Sequence, residues 1–232
     1  MGKKLPTGLF RLDKFLKGGI PINSAILVMG KAGTGKSTLC YHIMNENLKA
    51  GKSCLFVATR DKPERLIEEI EEIGFDLRYD IKDKRLIFID CYSPVIGEKD
   101  KFEVVDIVDL NTLFITVEKI LKKMKSPIVF IFDSLTDLFL RNDVKNSLKF
   151  LKALTALIKK KKGIGFFILQ EDVHDEKTIA SIEYICDGTI RCFVKDGKRL
   201  VEIKRMRGVY SSSPILELKL RDGIILREFF RR

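Results

Sequence analysis

Gly30-Lys31-Ala32-Gly33-Thr34-Gly35-Lys36-Ser37-Thr38 stands between an apolar run at residues 25–29 and a helix-like stretch at 37–50. Its first eight residues fit G-x-x-x-x-G-K-[ST], the pattern of a phosphate-binding loop. Glycines at 30, 33 and 35 let the backbone turn tightly and aim its N–H groups inward, where a branched side chain would block an approaching phosphate. Lys36 offers a point charge to the outer phosphates, and the Ser37 hydroxyl is suited to Mg²⁺. The helix that follows adds the positive end of its dipole at the same spot. The whole stretch 30–38 is therefore the expected nucleotide-binding segment.

Working outward, short apolar runs at 25–29, 54–58, 86–89, 128–132 and 164–169 read as buried strands, and they alternate with helical patterns at 37–50, 63–73, 110–124 and 144–160. That alternation predicts an α/β fold, a mostly parallel central sheet flanked by helices. The unbroken apolar run Ile128-Val129-Phe130-Ile131-Phe132 suits a central strand covered on both faces. From Thr189 the pattern changes to antiparallel strands, with hairpin signals at Lys195-Asp196-Gly197-Lys198 and Arg221-Asp222-Gly223. No linker or repeat divides the 232 residues, so one domain spanning 1–232 is expected.

The chain is 45% hydrophobic and 32% charged, enough apolar material for a substantial core, and it shows neither an 18-residue apolar run nor a leader-like start. A cytoplasmic protein is expected, without membrane partners. Five scattered cysteines lack any C-x-x-C pair and read as reduced core residues. The net charge of +11 is uneven: residues 1–50 carry 8 basic and 2 acidic groups, whereas residues 51–100 carry 9 and 12. Such segregation suits ATP, nucleic acid or an oppositely charged subunit and does not choose among them. The run Lys159-Lys160-Lys161-Lys162 falls at a helix end before Gly163, where cations complement the dipole, and no aromatics interleave it for base stacking.

Asp133 follows the strand at 128–132, where a metal-side carboxylate is needed; helix capping is a second role open to it. Gln170 ends the next strand and is a candidate sensor of the terminal phosphate, or an ordinary polar strand end.

Several motifs together resemble the KaiC-type domain of the RecA-like P-loop ATPase superfamily. They are Leu5-Pro6-Thr7-Gly8-Leu9-Phe10-Arg11-Leu12-Asp13, Lys17-Gly18-Gly19-Ile20-Pro21, the phosphate loop, Ile131-Phe132-Asp133-Ser134-Leu135-Thr136 and Lys204-Arg205-Met206-Arg207-Gly208. The resemblance spans about residues 5–230. It implies Mg·ATP as ligand and a homo-oligomeric ring, a hexamer by preference, in which Arg205 and Arg207 reach a neighbour's phosphates. An intrachain ion pair of these arginines with Glu202 or Glu228 is the other reading. The family usually ends its second strand with glutamates that orient the attacking water. Here Arg60 and Asp61 take those places, and an arginine, permanently charged, cannot be a base. Asp61 is then the expected water-orienting group with Lys36 as its catalytic partner, and turnover is expected to be slow. Where an autophosphorylating family member carries Ser and Thr, this chain has Glu183 and Tyr184, so no autokinase activity is expected. Two other functions stay open, an ATP-gated binding module without turnover and a DNA-binding recombinase paralogue. The short acidic stretch at 171–180 speaks against the latter.

Overall fold

Each apolar run becomes a strand and each 3.6-residue pattern a helix in the computed structural model, which describes residues 3–97, 102–209, 214–220 and 224–228. In chain order the elements are β1 (Lys4–Leu5), α1 (Phe10–Phe15), β2 (Ile20–Pro21), β3 (Ser24–Gly30), α2 (Lys36–Lys49), β4 (Ser53–Ala58), α3 (Pro63–Glu72), α4 (Arg78–Lys82), β5 (Leu86–Asp90), β6 (Glu103–Val104), α5 (Leu110–Lys123), β7 (Ile128–Asp133), α6 (Leu135–Arg141), α7 (Val144–Lys160), β8 (Ile164–Gln170), α8 (Glu176–Ile185), β9 (Gly188–Lys195), β10 (Lys198–Met206), β11 (Leu216–Leu220) and β12 (Ile224–Glu228). The main sheet has the order β12-β11-β10-β9-β3-β8-β7-β4-β5-β6. From β9 to β6 neighbouring strands are parallel, and β9 to β12 pair antiparallel.

The central strands are buried along their whole length because both faces are covered. Alternate residues serve opposite faces: Ile26, Val28, Phe56 and Ile131 pack toward α1 to α4, while Leu27, Val57, Phe130 and Phe132 pack toward α5 to α8. Helices α5, α7 and α8 are started by Asp109, Asp143 and Asp175, each accepting from the amide three residues on. The opening segment lies over α2, with Asn47 Nδ2 donating to the Pro6 carbonyl at 3.0 Å. Asp13 gathers the Thr7 and Gly8 amides at 2.8 and 3.1 Å.

Three differences from the sequence-based expectation stand out. Strand β9 runs parallel to β3 before the antiparallel part begins at β10, because helix α8 forms a full crossover ahead of it. The stretch 171–180, read only as a short acidic segment, contains a 3₁₀ turn and the first half of α8. Helices α1 and α4, six and five residues long, carry too little periodicity to be seen in the sequence. Asp196 and Gly197 turn the β9–β10 hairpin at φ 51° and 70°, as a two-residue hairpin requires. Arg221-Asp222-Gly223 lie outside the described residues, though β11 and β12 pair on either side of them. All five cysteines are buried free thiols. Among the described residues no helix is long and apolar enough to cross a membrane.

Candidate functional site

Strand β3 delivers the glycine-rich loop to the C-terminal edge of the parallel sheet, and α2 leads away from it. Gly30, Gly33 and Gly35 sit at φ 152°, 72° and 91°. A Cβ on Gly30 would stand 2.0 Å from the Cys192 carbonyl oxygen of β9, so only glycine lets the sheet close behind the loop. Gly35 occupies the N-cap of α2 in the left-handed conformation and offers no capping side chain, which leaves first-turn amides to an anion. Thr34 Oγ1 and Lys36 Nζ both donate to the Lys31 carbonyl, at 2.8 and 2.7 Å. Burial lowers the Lys36 ammonium pKa, against the opposing pull of Cys192, Asp133, Asp172 and Glu171.

A cleft of about 510 Å³ opens over this loop, within the usual range for a small-molecule site. Ala32, Gly33, Gly35, Lys36, Ser37 and Thr38 line it with Asp133 and Gln170. Gly30, Lys31 and Thr34 build the loop behind that lining. Gln170 is brought in by the β3–β8 register, which sets it beside Gly30.

Asp133 ends β7, is 1% exposed, and its Oδ2 has no hydrogen-bond partner. Burial pushes its carboxyl above the usual carboxylate range; Arg60 and the Ser37 hydroxyl act the other way. An orphaned buried carboxylate oxygen beside a hydroxyl suits Mg²⁺, which takes one or two protein oxygens and completes its shell with phosphate and water. Among the described residues no group of three His, Cys, Asp or Glu could hold a metal ion by itself. A hydrogen-bonded knot fixes the neighbouring strand ends: Thr59 Oγ1 donates to Asp137 Oδ2 at 2.7 Å and accepts from the Ser134 amide at 2.6 Å, and Ser134 Oγ donates to the same carboxylate at 2.9 Å.

Beyond β4 the chain presents Arg60, not Asp61, to the cleft. Asp61 Oδ2 pairs with Arg65 Nε at 3.2 Å and its Oδ1 accepts from the Lys62 amide at 2.9 Å, so Asp61 is absent from the lining. Arg60 donates to Glu69 Oε2 at 3.1 Å and to the Tyr41 hydroxyl at 3.3 Å. Burial opposes the charge on Arg60, but Asp133, Tyr41 and Glu69 outweigh it and hold the guanidinium above its ordinary pKa. Glu69, Asp137, Thr136 and Arg199 also line the cleft, with Ile73, Ser134 and Ile168. Nothing in the local pattern singles out Glu69, Asp137 or Arg199, and Thr136 stands out only as part of the motif at 131–136. Glu69 is one of several glutamates on the polar side of α3, and Arg199 arrives only through the β9–β10 hairpin, where its Nε donates to the Gly33 carbonyl at 3.1 Å.

Arg205 and Arg207 lie elsewhere, lining a second concavity that shares no residue with the first. Arg205 donates to the Glu183 and Cys186 carbonyls at 2.5 and 2.8 Å, and Arg207 meets Asp187 at 3.4 Å with its side chain 82% exposed. Neither pairing is with Glu202, and the Glu228 side chain lies outside the described residues. Lys159, first of the four lysines at 159–162, pairs with the buried Asp187 at 2.7 Å.

A family model described as the KaiC ATPase matches residues 5–226. The chain belongs to the KaiC ATPase family. Membership points to ATP binding and hydrolysis. Among relatives, a UPF0273 protein of Thermotoga maritima is 28% identical over 241 residues, covering 97% of this chain and 96% of the relative. The circadian clock oscillator protein KaiC of Parasynechococcus marenigrum is 27% identical over 216 residues, which span 89% of this chain but 41% of that protein. Two crystal structures share the fold: a KaiC-like protein of Pyrococcus horikoshii, with TM-score 0.80, 19% identity and coverage of 98% and 100%, and the flagellar accessory protein FlaH of Methanocaldococcus jannaschii, with TM-score 0.76, 23% identity and coverage of 97% and 99%. The KaiC-type, RecA-like α/β architecture expected from the motifs is thus the one observed.

Proposed function

We propose that this KaiC-family chain binds Mg·ATP in the glycine-loop cleft, hydrolyses it slowly, and assembles as a cytoplasmic homo-oligomeric ring. The observation that carries the reading is the buried, unpartnered Asp133 Oδ2 beside Ser37, at the mouth of a loop whose glycines and free helix amides suit a phosphate. Ser37 and Asp133 would hold Mg²⁺, which when bound supplies charge neutralisation on the phosphate oxygens. Loop amides of 30–38 and the Lys36 ammonium grip the phosphates, and Gln170 is placed to donate to the terminal one. Asp61 is the carboxylate nearest in sequence to the family's water-orienting position. To serve, it must leave Arg65, an exposed pair that costs little to break. The shorter carboxylate, set outside the cleft lining, supports slow turnover, since a misplacement near 1 Å can cost about a hundredfold. Arg205 and Arg207 are absent from their own chain's cleft, which supports a role toward a neighbouring subunit in a hexamer. Nucleic acid is not the favoured partner, because α8 takes up the segment where a recombinase would extend a DNA-contacting loop.

A second reading, ATP binding without turnover, is favoured by one specific observation: the cleft receives the cationic Arg60 where a free carboxylate is needed. Steady-state phosphate release separates the two. Turnover by the wild type that Lys36→Ala and Asp61→Asn both abolish supports the hydrolase. Silence in all three, with ATP still raising the wild-type Tm, supports the binding module. A wild type that ATP neither stabilises nor drives to a larger mass refutes both.

A further inference from the structure

The end of β4 places a cation inside the cleft, on the same lining as Lys36, Ser37 and Asp133. Two side chains hold Arg60 there. Glu69 Oε2, on α3, accepts at 3.1 Å, and the Tyr41 hydroxyl, on α2, accepts at 3.3 Å. The two holds differ in character. Tyr41 is 1% exposed and packed with its ring 6.0 Å from that of Phe56, so its hydroxyl is a fixed post. The Arg60–Glu69 pair is open to water, with side chains 48% and 45% exposed, and such pairs are weak. Both contacts are made by the same terminal nitrogen, Nη2, so a guanidinium anchored on a buried hydroxyl and loosely paired with an exposed carboxylate is poised to exchange one anion for another, and its planar fork suits phosphate oxygens better than a single carboxylate contact.

We infer that Arg60 reads the terminal phosphate of the bound nucleotide in cis, exchanging Glu69 for that phosphate when a triphosphate enters and returning to Glu69 with a diphosphate. The inference rests on nucleotide binding in this cleft, as proposed above. Arg60 is then the residue that makes the site distinguish triphosphate from diphosphate, and Glu69 is the internal anion that competes with the triphosphate. The exchange also frees the Glu69 carboxylate on the cleft wall at the moment ATP arrives. Tyr41 acts as a positioning residue, keeping the guanidinium on the cleft side after Glu69 lets go.

The test measures Kd of the full-length protein for MgATP and MgADP in wild type, Arg60→Ala, Arg60→Lys, Glu69→Gln and Tyr41→Phe, at fixed ionic strength. A hydrogen bond to a charged group sets the expected scale. Arg60→Ala should weaken MgATP about ten- to a hundredfold and MgADP less than about threefold. Glu69→Gln should tighten MgATP by about two- to fivefold, because an exposed competing pair is lost, with MgADP unmoved. Arg60→Lys should fall between wild type and Arg60→Ala, since the charge stays and the fork goes. Tyr41→Phe should weaken MgATP more than MgADP while leaving Tm close to wild type. Equal losses for the two nucleotides in Arg60→Ala, or no loss, overturn the inference while leaving nucleotide binding intact. A wild type that binds neither nucleotide removes the reading beneath it, a distinguishable result.

Discussion

Replacing Gly30 by alanine tests whether this glycine is needed for closure of the sheet rather than for contact with phosphate. The added Cβ would stand 2.0 Å from the Cys192 carbonyl oxygen and 3.0 Å from Thr34 Oγ1. Carbon and a carbonyl oxygen settle near about 3.3 Å in their closest ordinary contacts, so β9 and the loop must part by roughly 1.3 Å. Forced overpacking costs about 1–3 kcal/mol. A non-glycine residue at φ 152° adds about 1–2 kcal/mol of backbone strain. Together that is about 2–5 kcal/mol, or a fall in Tm of about 4–20 °C for a chain of this size. Gly33→Ala is the matched control: its Cβ meets nothing within 4 Å and only the strain at φ 72° remains, about 1–2 kcal/mol. Thermal unfolding without nucleotide, followed by the Tm increase on adding MgATP, reads both. Gly30→Ala should unfold well below Gly33→Ala, whereas Gly33→Ala should keep most of its stability and lose the response to MgATP. Equal Tm values for the two variants would refute the packing argument.

Three further outcomes are expected. Phe56→Ala removes a fully buried ring whose neighbours are Tyr41 at 6.0 Å and Phe88 at 5.2 Å; denaturant unfolding should show a loss of about 3–5 kcal/mol. His42 is buried, and burial lowers its pKa against the opposing effects of Glu46, the Gly8 backbone and Asp13, with Lys49 adding to the lowering. A depressed base contributes stability that is present above its unfolded pKa near 6.5 and lost as pH falls through the folded value. Denaturant midpoints should therefore drop below pH 6.5 more steeply in wild type than in His42→Leu; parallel profiles would contradict the assignment. Asp187→Asn leaves Lys159 without its 2.7 Å partner and weakens the hold on the Ala25 amide at 2.8 Å. A loss of about 1–3 kcal/mol is expected, and a stability change below about 0.5 kcal/mol would show that the clamp contributes nothing.

The glycine loop, the helix behind it, the buried strands and Asp133 were legible in the sequence because each depends on local needs: backbone turns that only glycine makes easily, a 3.6-residue period, an unbroken apolar run. The joint order of motifs also made the KaiC-type resemblance readable, and with it the expectation of ATP. Which side chain of the pair Arg60 and Asp61 enters the cleft was not legible. Adjacent residues leave a strand end on opposite sides, and partners decide the outcome: Arg65, one helical turn away, holds Asp61, while Tyr41 and Glu69, on two different helices, hold Arg60. The same limit hid Arg199, which meets Gly33 from 166 positions away, and the parallel placement of β9, which is set by pairing with β3 rather than by any pattern within β9 itself. By itself, then, the sequence determined the elements and the phosphate loop, whose causes act over a few residues. Only the tertiary structure decided which charges share the cleft, because that depends on contacts between segments far apart in the chain.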